Sequence, residues 1–336
     1  MKAVRFARYG GPEVLSLEEV PVPSIDPLEV LVRIEFACVT TADSAARSGM
    51  PYFGRLMFGF PRPRKPVLGT DAAGRIVAVG EGVRRLSIGD RVVLATGASF
   101  GTHADFVAIA EDDAVAKIPD GVDTAAALAV CEGALTALPF LRDAARVQPG
   151  QRVLVNGASG SVGSAAVQLA RMFGAQVTAV CSGPNAPLVT SLGADTVIDY
   201  TEDDFTAGVP GAPESATDRF HVVFDAVATS SFSRTKRMLH PRGVYLTTVP
   251  TVGAVTAVIR TRFIRGKRAL MLLTGLRPPA ARRADLEWIC AAVAEGSLVP
   301  VIDSIHDADR ARRAHDRVDS RRKRGAVLLD FRRTDA

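Results

Sequence analysis

The sequence has few of the features of secreted, cross-linked or membrane-spanning chains. Its four cysteines, at positions 38, 131, 181 and 290, are scattered along 336 residues. No Cys-x-x-Cys pair occurs, which argues against a disulfide framework and against a clustered zinc site. No run of 18 or more apolar residues is present, so no membrane span is expected. The opening stretch, MKAVRFARYGGPEVL, lacks the apolar core of a secretion signal. A reducing, cytoplasmic location is therefore expected. Acidic residues are missing from 226–284, a stretch that holds twelve Lys or Arg within a chain of net charge +5. Two readings stay open for that stretch: a solvated basic face, or one set near a polyanionic cofactor, against a surface for an acidic partner or an anionic membrane. Residues 255–273, VTAVIRTRFIRGKRALMLL, mix basic with apolar side chains and keep the membrane-surface reading in view. Neither zinc-finger spacing nor an RNA-recognition signature occurs, so no nucleic-acid partner is expected.

What remains is the composition of a globular protein, 47% apolar and 23% charged. At about 150 residues per domain the length predicts two domains. Residues 1–120 read as β-rich and irregular, with strand-like runs at 30–36, 73–79 and 91–95 between turns. Segment 51–66 reads as a loop of the kind that borders pockets. From about 121 the texture changes. A helical pattern covers 123–146, followed by strands and helices in alternation: strand 151–156, a helix ending near 173, strand 175–181, helix 187–192, strand 196–200, strand 220–227, helix 232–239 and strand 243–249. Strands apolar throughout, in a βαβα rhythm, predict a parallel sheet buried on both faces. The tail returns to helices at 283–295 and 307–318 and a closing strand at 325–331.

One segment carries chemistry. A strand runs into Asn156-Gly157-Ala158-Ser159-Gly160-Ser161-Val162-Gly163, and a helix then starts at about Ser161. This matches a dinucleotide-binding fingerprint with Ala158 in the first glycine slot. The turn must be tight, the backbone at Gly160 must approach a pyrophosphate, and Gly163 must let helix and sheet pack closely. The helix N-terminus offers N–H groups and a positive dipole end to phosphates. Ala158, Ser159, Gly160, Ser161, Val162 and Gly163 are therefore the cofactor loop. The next strand ends Cys181-Ser182-Gly183-Pro184-Asn185. No Asp or Glu stands there to bind a ribose 2′-OH or repel a 2′-phosphate, and Ser182 and Asn185 can donate hydrogen bonds. This favours NADPH over NADH, modestly, because the loop holds no Lys or Arg.

At these residues the chain resembles the medium-chain dehydrogenase/reductase superfamily, and within it the zinc-independent quinone oxidoreductase-like branch. Leu68-Gly69-Thr70-Asp71-Ala72-Ala73-Gly74 resembles its LGxDxAG segment, Glu132-Gly133-Ala134-Leu135-Thr136-Ala137 its EAxLTA helix start, and residues 156–163 its NGASGxVG loop. Ser191-Leu192-Gly193-Ala194-Asp195 through Val197-Ile198-Asp199-Tyr200 resembles its SLGADxVIDY. The resemblance implies an α/β fold with two parts. A GroES-like β-rich catalytic domain would span 1–122 and 275–336, and a Rossmann-type doubly wound parallel sheet 123–274. It also implies a homodimer formed through an edge strand within 268–274.

The same resemblance implies roles for further residues. Zinc-bearing relatives place Cys and His where this chain has Thr40 and Thr70, and hydroxyls are poor zinc ligands. The five histidines, at 103, 221, 240, 306 and 315, show no ligand spacing. No metal is expected. Thr40 replaces the branch's usual Asn in Cys38-Val39-Thr40-Thr41-Ala42-Asp43, where it either donates one hydrogen bond or fills space. Asp43 is either catalytic or a helix cap. Thr136 and Tyr200 would flank the cofactor, Arg321 would reach its 2′-phosphate, and Val249, closing strand 243–249, is counted with them. Tyr52 and Phe53 would stack on a flat substrate. A lysine that relatives carry before the last strand is replaced, since Gly325 is followed by Ala326. The expected activity is NADPH-dependent reduction of a quinone or α,β-unsaturated carbonyl, with the proton drawn from water. Two alternatives stand beside it: a zinc-free alcohol or aldehyde oxidoreductase, and an NADPH-binding partner or membrane-surface protein with weak activity.

Overall fold

The computed structural model describes residues 1–50, 52, 55–207 and 219–333. It divides into two compact units, Met1–Glu132 with Gly275–Ala336, and Gly133–Thr274. The first boundary falls inside the helix Thr124–Leu138 rather than ahead of it at 123. The reason is local: Ala125, Ala127, Leu128 and Ala129 are buried, so the front of this helix is core, not linker.

In the first unit, the eleven-residue strand Glu29–Val39 organises a seven-stranded sheet. It pairs antiparallel with Asp71–Val79 along most of its length, with Phe106–Ala110 at its start and with Ala326–Asp330 at its end. Arg91–Ala95 and Val115–Lys117 extend one side, and Ile302–Asp307 extends the other in parallel. Ile302–Asp307 was not expected, because Asp303, Ser304 and His306 interrupt its apolar pattern. Val30, Val32, Ile34, Ile76, Leu94, Ile109 and Leu329 form the core, joined by Ala311, Ala314 and Val318 of the helix Ala311–Asp319. Arg47 is buried there, with Nε bonded to the Gly10 carbonyl and a terminal nitrogen paired with Asp319 at 2.5 Å.

The second unit holds a six-stranded parallel sheet. Its spatial order is Thr196–Asp199, Gln176–Cys181, Arg152–Asn156, Phe220–Asp225, Leu239–Thr247, Arg268–Met271. The order reverses at Arg152–Asn156, the first strand in sequence, which is the topological switch point of a doubly wound sheet. The central strands are buried along almost their whole length and mostly apolar, as a sheet covered on both faces requires. The expected helix at 232–239 shortens to the single turn Phe232–Thr235, and Leu239 already starts the next strand. The helix predicted to run to 146 turns π-helical over Pro139–Ala145 and stops at Arg146 in the left-handed region. Proline has no N–H for the α-helical bond, so the ladder slips where Pro139 enters it. As a whole Thr124–Ala145 is long and apolar enough to cross a membrane, yet 78% of its most apolar window is buried inside the protein.

Phe224 is fully buried and its ring lies 5.4 Å from that of Phe140. Replacing Phe224 with Ala removes this packing and leaves a cavity. The expected cost is about 3–5 kcal/mol, read as a lowered urea midpoint for the Gly133–Thr274 unit.

Candidate functional site

The bend after strand Arg152–Asn156 is shaped by its glycines. Gly157 adopts φ +78°, the left-handed region. A Cβ on Gly163 would lie 2.0 Å from the Gly157 carbonyl oxygen, so only glycine lets the helix Ser161–Met172 start so close to the strand. At Gly160 the situation is the reverse. A Cβ there would meet nothing nearer than the Gly157 oxygen at 3.5 Å, so the bend is open on that side. Gly160 stands at the N-cap position and no side chain caps the helix. Ala158 is fully buried and Ser161 nearly so, while Ser159, Gly160 and Val162 keep some exposure. An open bend, uncapped first-turn amides and the positive end of a helix dipole make a fitting cradle for a diphosphate.

The opposite wall of this bend depends on Asp225, a residue the sequence reading passed over. Its carboxylate is fully buried at the end of strand Phe220–Asp225. Oδ1 accepts from Asn156 Nδ2 at 2.9 Å and from the Val227 and Ala228 amides at 3.2 and 2.8 Å. Oδ2 accepts from the Ser230 amide at 3.0 Å and the Tyr245 hydroxyl at 2.9 Å. These bonds fold 226–230 into a turn whose Val227 side chain faces Gly157. Burial, with the Asp225 charge as the second cause, holds the Tyr245 phenol above its ordinary range. The available signal was an acidic residue ending an otherwise apolar strand.

At the end of strand Gln176–Cys181, three expected cofactor residues come together. Asn185 Nδ2 donates to Ser159 Oγ at 3.2 Å and to Ser182 Oγ at 3.0 Å, and Asn185 Oδ1 is buried without a partner. Both serine hydroxyl protons stay available to a ligand. Cys181 is buried, and burial raises its thiol to about 11, so it stays neutral. The expectation of a loop free of negative charge needs correction. Asp199, four positions beyond Asp195 on the neighbouring strand, accepts from the Gly183 amide. The Thr201 hydroxyl and amide hold the Asp199 carboxyl below its usual range, so it is an anion. Tyr200 is 58% exposed, and Val249 is exposed in a bend two positions past the strand Leu239–Thr247 rather than closing it as expected. Thr136 is half-buried in the last turn of Thr124–Leu138.

In the first unit, Thr40 and Asp43 form a reciprocal capping box on the helix Thr41–Ser48. Asp43 Oδ2 accepts from the Thr40 amide and hydroxyl at 2.8 and 2.7 Å, and Oδ1 accepts from the Gly69 amide at 2.7 Å. The Thr40 hydroxyl proton is thus committed to a buried carboxylate, and the geometry of both residues is that of a helix cap. Asp43 also fixes the turn leading to Thr70. There the Thr70 hydroxyl donates to Asp71, whose carboxyl is lifted to about 7 by burial, against the Thr70 hydrogen bond, with Glu132 and Asp43 adding negative charge and Arg282 opposing them. Glu132 is likewise raised by burial, with Lys323 lowering it and Asp43 raising it. Thr70, Asp71 and Glu132 all retain part of their accessible surface, so water reaches this cluster. Lys323, two positions before Gly325, brings an amine to the region where the expected lysine was missing.

The remaining expected residues are spread out. Tyr52 is 68% exposed, with the Arg55 guanidinium 4.8 Å over its ring. Phe53 lies outside the described residues. Arg321 is exposed just past the helix Ala311–Asp319, at φ +56°. Four of the five histidines meet in pairs, His103 with His315 at 5.6 Å and His221 stacked on His240 at 4.8 Å. Among the described residues no group of three or more His, Cys, Asp or Glu is placed to hold a metal ion.

Comparison with known proteins adds a family context. Residues 26–120 match the alcohol dehydrogenase GroES-like domain and residues 192–329 the zinc-binding dehydrogenase family. The chain is 30% identical to a quinone oxidoreductase of Pseudomonas aeruginosa, covering 98% of this chain and 99% of that one. It is 28% identical to a trans-enoyl reductase of Aspergillus terreus, over 93% of this chain and 88% of the relative. The solved structure of Escherichia coli quinone oxidoreductase complexed with NADPH superposes with a TM-score of 0.83 at 27% identity, covering 98% of this chain and 100% of that one.

Replacing Asp225 with Ala leaves buried donors from Asn156, Tyr245 and the 226–230 turn without an acceptor. The expected loss is about 3 kcal/mol of stability, together with weaker nucleotide binding. Thermal denaturation with and without nucleotide measures both.

Proposed function

The chain belongs to the medium-chain dehydrogenase/reductase superfamily, in its quinone oxidoreductase-like branch, and on that premise we propose that it is an NADPH-dependent, zinc-independent reductase of quinones or α,β-unsaturated carbonyls. The observation that carries the cofactor reading is the bend at 156–163, open at Gly160 and closed at Gly163. Val162 and Gly163 amides would take the diphosphate, and Ser159, Ser182 and Asn185 would take the ribose end. Asp199, close to that end, limits the preference for a 2′-phosphate to a modest one. When bound, a reduced nicotinamide supplies a hydride.

The zinc-independent reading rests on the residues in the relevant slots. Thr40 and Thr70 carry hydroxyls, and each gives its proton to a neighbouring carboxylate. The reaction also needs a proton. Burial raises the Asp71 carboxyl to about 7, which supports it as a proton carrier beside water. When Asp71 is protonated it can donate to the Thr70 oxygen, which turns the Thr70 proton toward a substrate oxygen. Glu132 keeps Asp71 from ionising early, and Lys323 balances Glu132. The trans-enoyl reductase relative supports the unsaturated carbonyl as one acceptor class. The four cysteines are buried free thiols, in keeping with a reducing cytoplasm. Arg268–Met271 ends the six-stranded sheet, and this edge supports the expectation of a homodimer.

The test is NADPH oxidation against quinones, enones, aldehydes and saturated alcohols, with NADH and a chelator as controls. Turnover of quinones or enones, a modest NADPH preference and indifference to chelation are expected. Loss of activity on chelation, or turnover confined to alcohols and aldehydes, overturns the reading.

A pH profile tests the proton donor. The protonated fraction of Asp71 is near full below its value of about 7 and is lost as pH rises through it. With quinone or enone, kcat is therefore expected to hold steady below that pH and to fall about tenfold per unit above it. Asp71→Asn removes the titrating group and is expected to lower kcat about 100-fold and flatten the profile.

A further inference from the structure

His103 touches both of the segments that carry Thr40 and Thr70. Residues 101–103 run along the turn that leads into Thr70. The Gly101 and His103 amides donate to the Leu68 carbonyl at 3.1 and 2.9 Å, and the Thr102 amide donates to the Gly69 carbonyl at 3.2 Å. The Thr102 hydroxyl reaches the Asp71 carbonyl at 3.4 Å, and the His103 carbonyl accepts from the Val4 amide at 2.8 Å. The backbone of His103 is therefore fixed on two sides, and its imidazole is fully buried.

That ring bridges the two segments. The pairing of Glu29–Val39 with Asp71–Val79 ends at Ala37 and Ala72. One residue further on, the Cys38 carbonyl accepts from His103 Nε2 at 2.8 Å. A carbonyl can only accept, so Nε2 carries the proton and the imidazole makes this bond in its neutral form. On the other segment, a Cβ on Gly69 would collide with His103 Cδ2, the ring carbon beside that nitrogen, and with Thr102 Oγ1. Gly69, at φ +89°, thus lies directly against the imidazole edge. One ring edge sets the distance between residue 38, two before Thr40, and residue 69, one before Thr70. Asp43 makes the second tie between the same segments, through the Thr40 and Gly69 amides. His315 packs edge-on against His103 with 83° between the ring planes, which holds the imidazole in place. Burial, with repulsion from His103 and Arg47 adding to it, holds the His315 imidazole well below its ordinary range, so this neighbour is neutral too.

We propose that His103 is a positioning residue for the reduction. By bonding the Cys38 carbonyl and backing Gly69 it fixes the spacing of Thr40 and Thr70, and so the aim of the Thr70 hydroxyl, without touching substrate or nucleotide. The proposal rests on the reductase reading. A shift of about 1 Å in such a group lowers turnover by about 100-fold, so a buried hydrogen bond far from the nucleotide is enough to govern kcat.

The test compares His103→Phe, which keeps a buried ring but has no donor, with His103→Gln, which keeps a side-chain N–H. His103→Phe is expected to lower kcat with a quinone or enone about 10- to 100-fold and to leave the KM for acceptor and NADPH within about twofold. The bend at 156–163 belongs to the other unit, so NADPH binding by fluorescence titration is expected to stay unchanged. His103→Gln is expected to recover most of the lost kcat. Hydrogen exchange at the Gly69 amide is expected to quicken in His103→Phe and to return toward the wild-type rate in His103→Gln. Circular dichroism checks the fold, and His103→Leu takes the place of His103→Phe if the larger ring is not accommodated. Unchanged kcat in the variant without a donor, an equal loss in His103→Gln, or unchanged Gly69 exchange overturns the proposal. If the wild-type protein reduces neither quinones nor enones, the reductase reading falls, and the exchange rates still decide whether His103 ties the two segments.

Discussion

Buried carboxylates that accept backbone N–H groups set the geometry of both halves of this protein. Asp225 gathers the side chains of Asn156 and Tyr245 and the amides of the 226–230 turn, and so builds the wall opposite the Gly157 bend. Asp43 does the same in the first unit, tying the start of the helix Thr41–Ser48 to the Gly69 amide. A buried charge is tolerated only where several donors surround it. Once surrounded, it fixes each donor in place more firmly than a neutral acceptor would. Each carboxylate thereby holds the backbone next to a functional segment, the bend in one unit and the Thr70–Asp71 turn in the other.

The same pairing of a hydroxyl with a carboxylate recurs twice in the first unit. Thr40 and Thr70 are each paired with an aspartate, yet the two pairs differ in chemistry. Asp43 has three donors and serves as an anchor. Asp71 lies among Glu132 and Asp43 in a poorly solvated position, so its proton affinity rises into the neutral range. The contrast follows the general rule that donors stabilise a carboxylate while burial and like charges destabilise it. One aspartate is held as an anchored anion, and the other has its proton affinity raised.

Much of the fold was legible in the sequence. The alternation of apolar strands with helices announced the parallel sheet, and the glycine pattern at 156–163 announced the tight bend between strand and helix. Both signals are local, since a strand buried on both faces must be apolar throughout and a bend this tight must have glycine. The irregular strand Ile302–Asp307 was missed because its partner Ala326–Asp330, not its own pattern, makes it a strand. Likewise, Pro139 ended the regular helix earlier than its Ala- and Leu-rich continuation implied.

The site shows the same division. The sequence by itself determined the glycine bend at 156–163, the threonines at 40 and 70, and the basic character of 226–284, because these depend on residue type and close spacing. Only the tertiary structure decided that Thr40 gives its proton to Asp43, that Glu132 lies near both Asp71 and Lys323, that Asp199 reaches Gly183, and that Ile259 and Phe263 face outward. Proton affinity, pairing and exposure are set by what surrounds a side chain in space. In this chain the decisive neighbours lie from a few to more than two hundred positions apart.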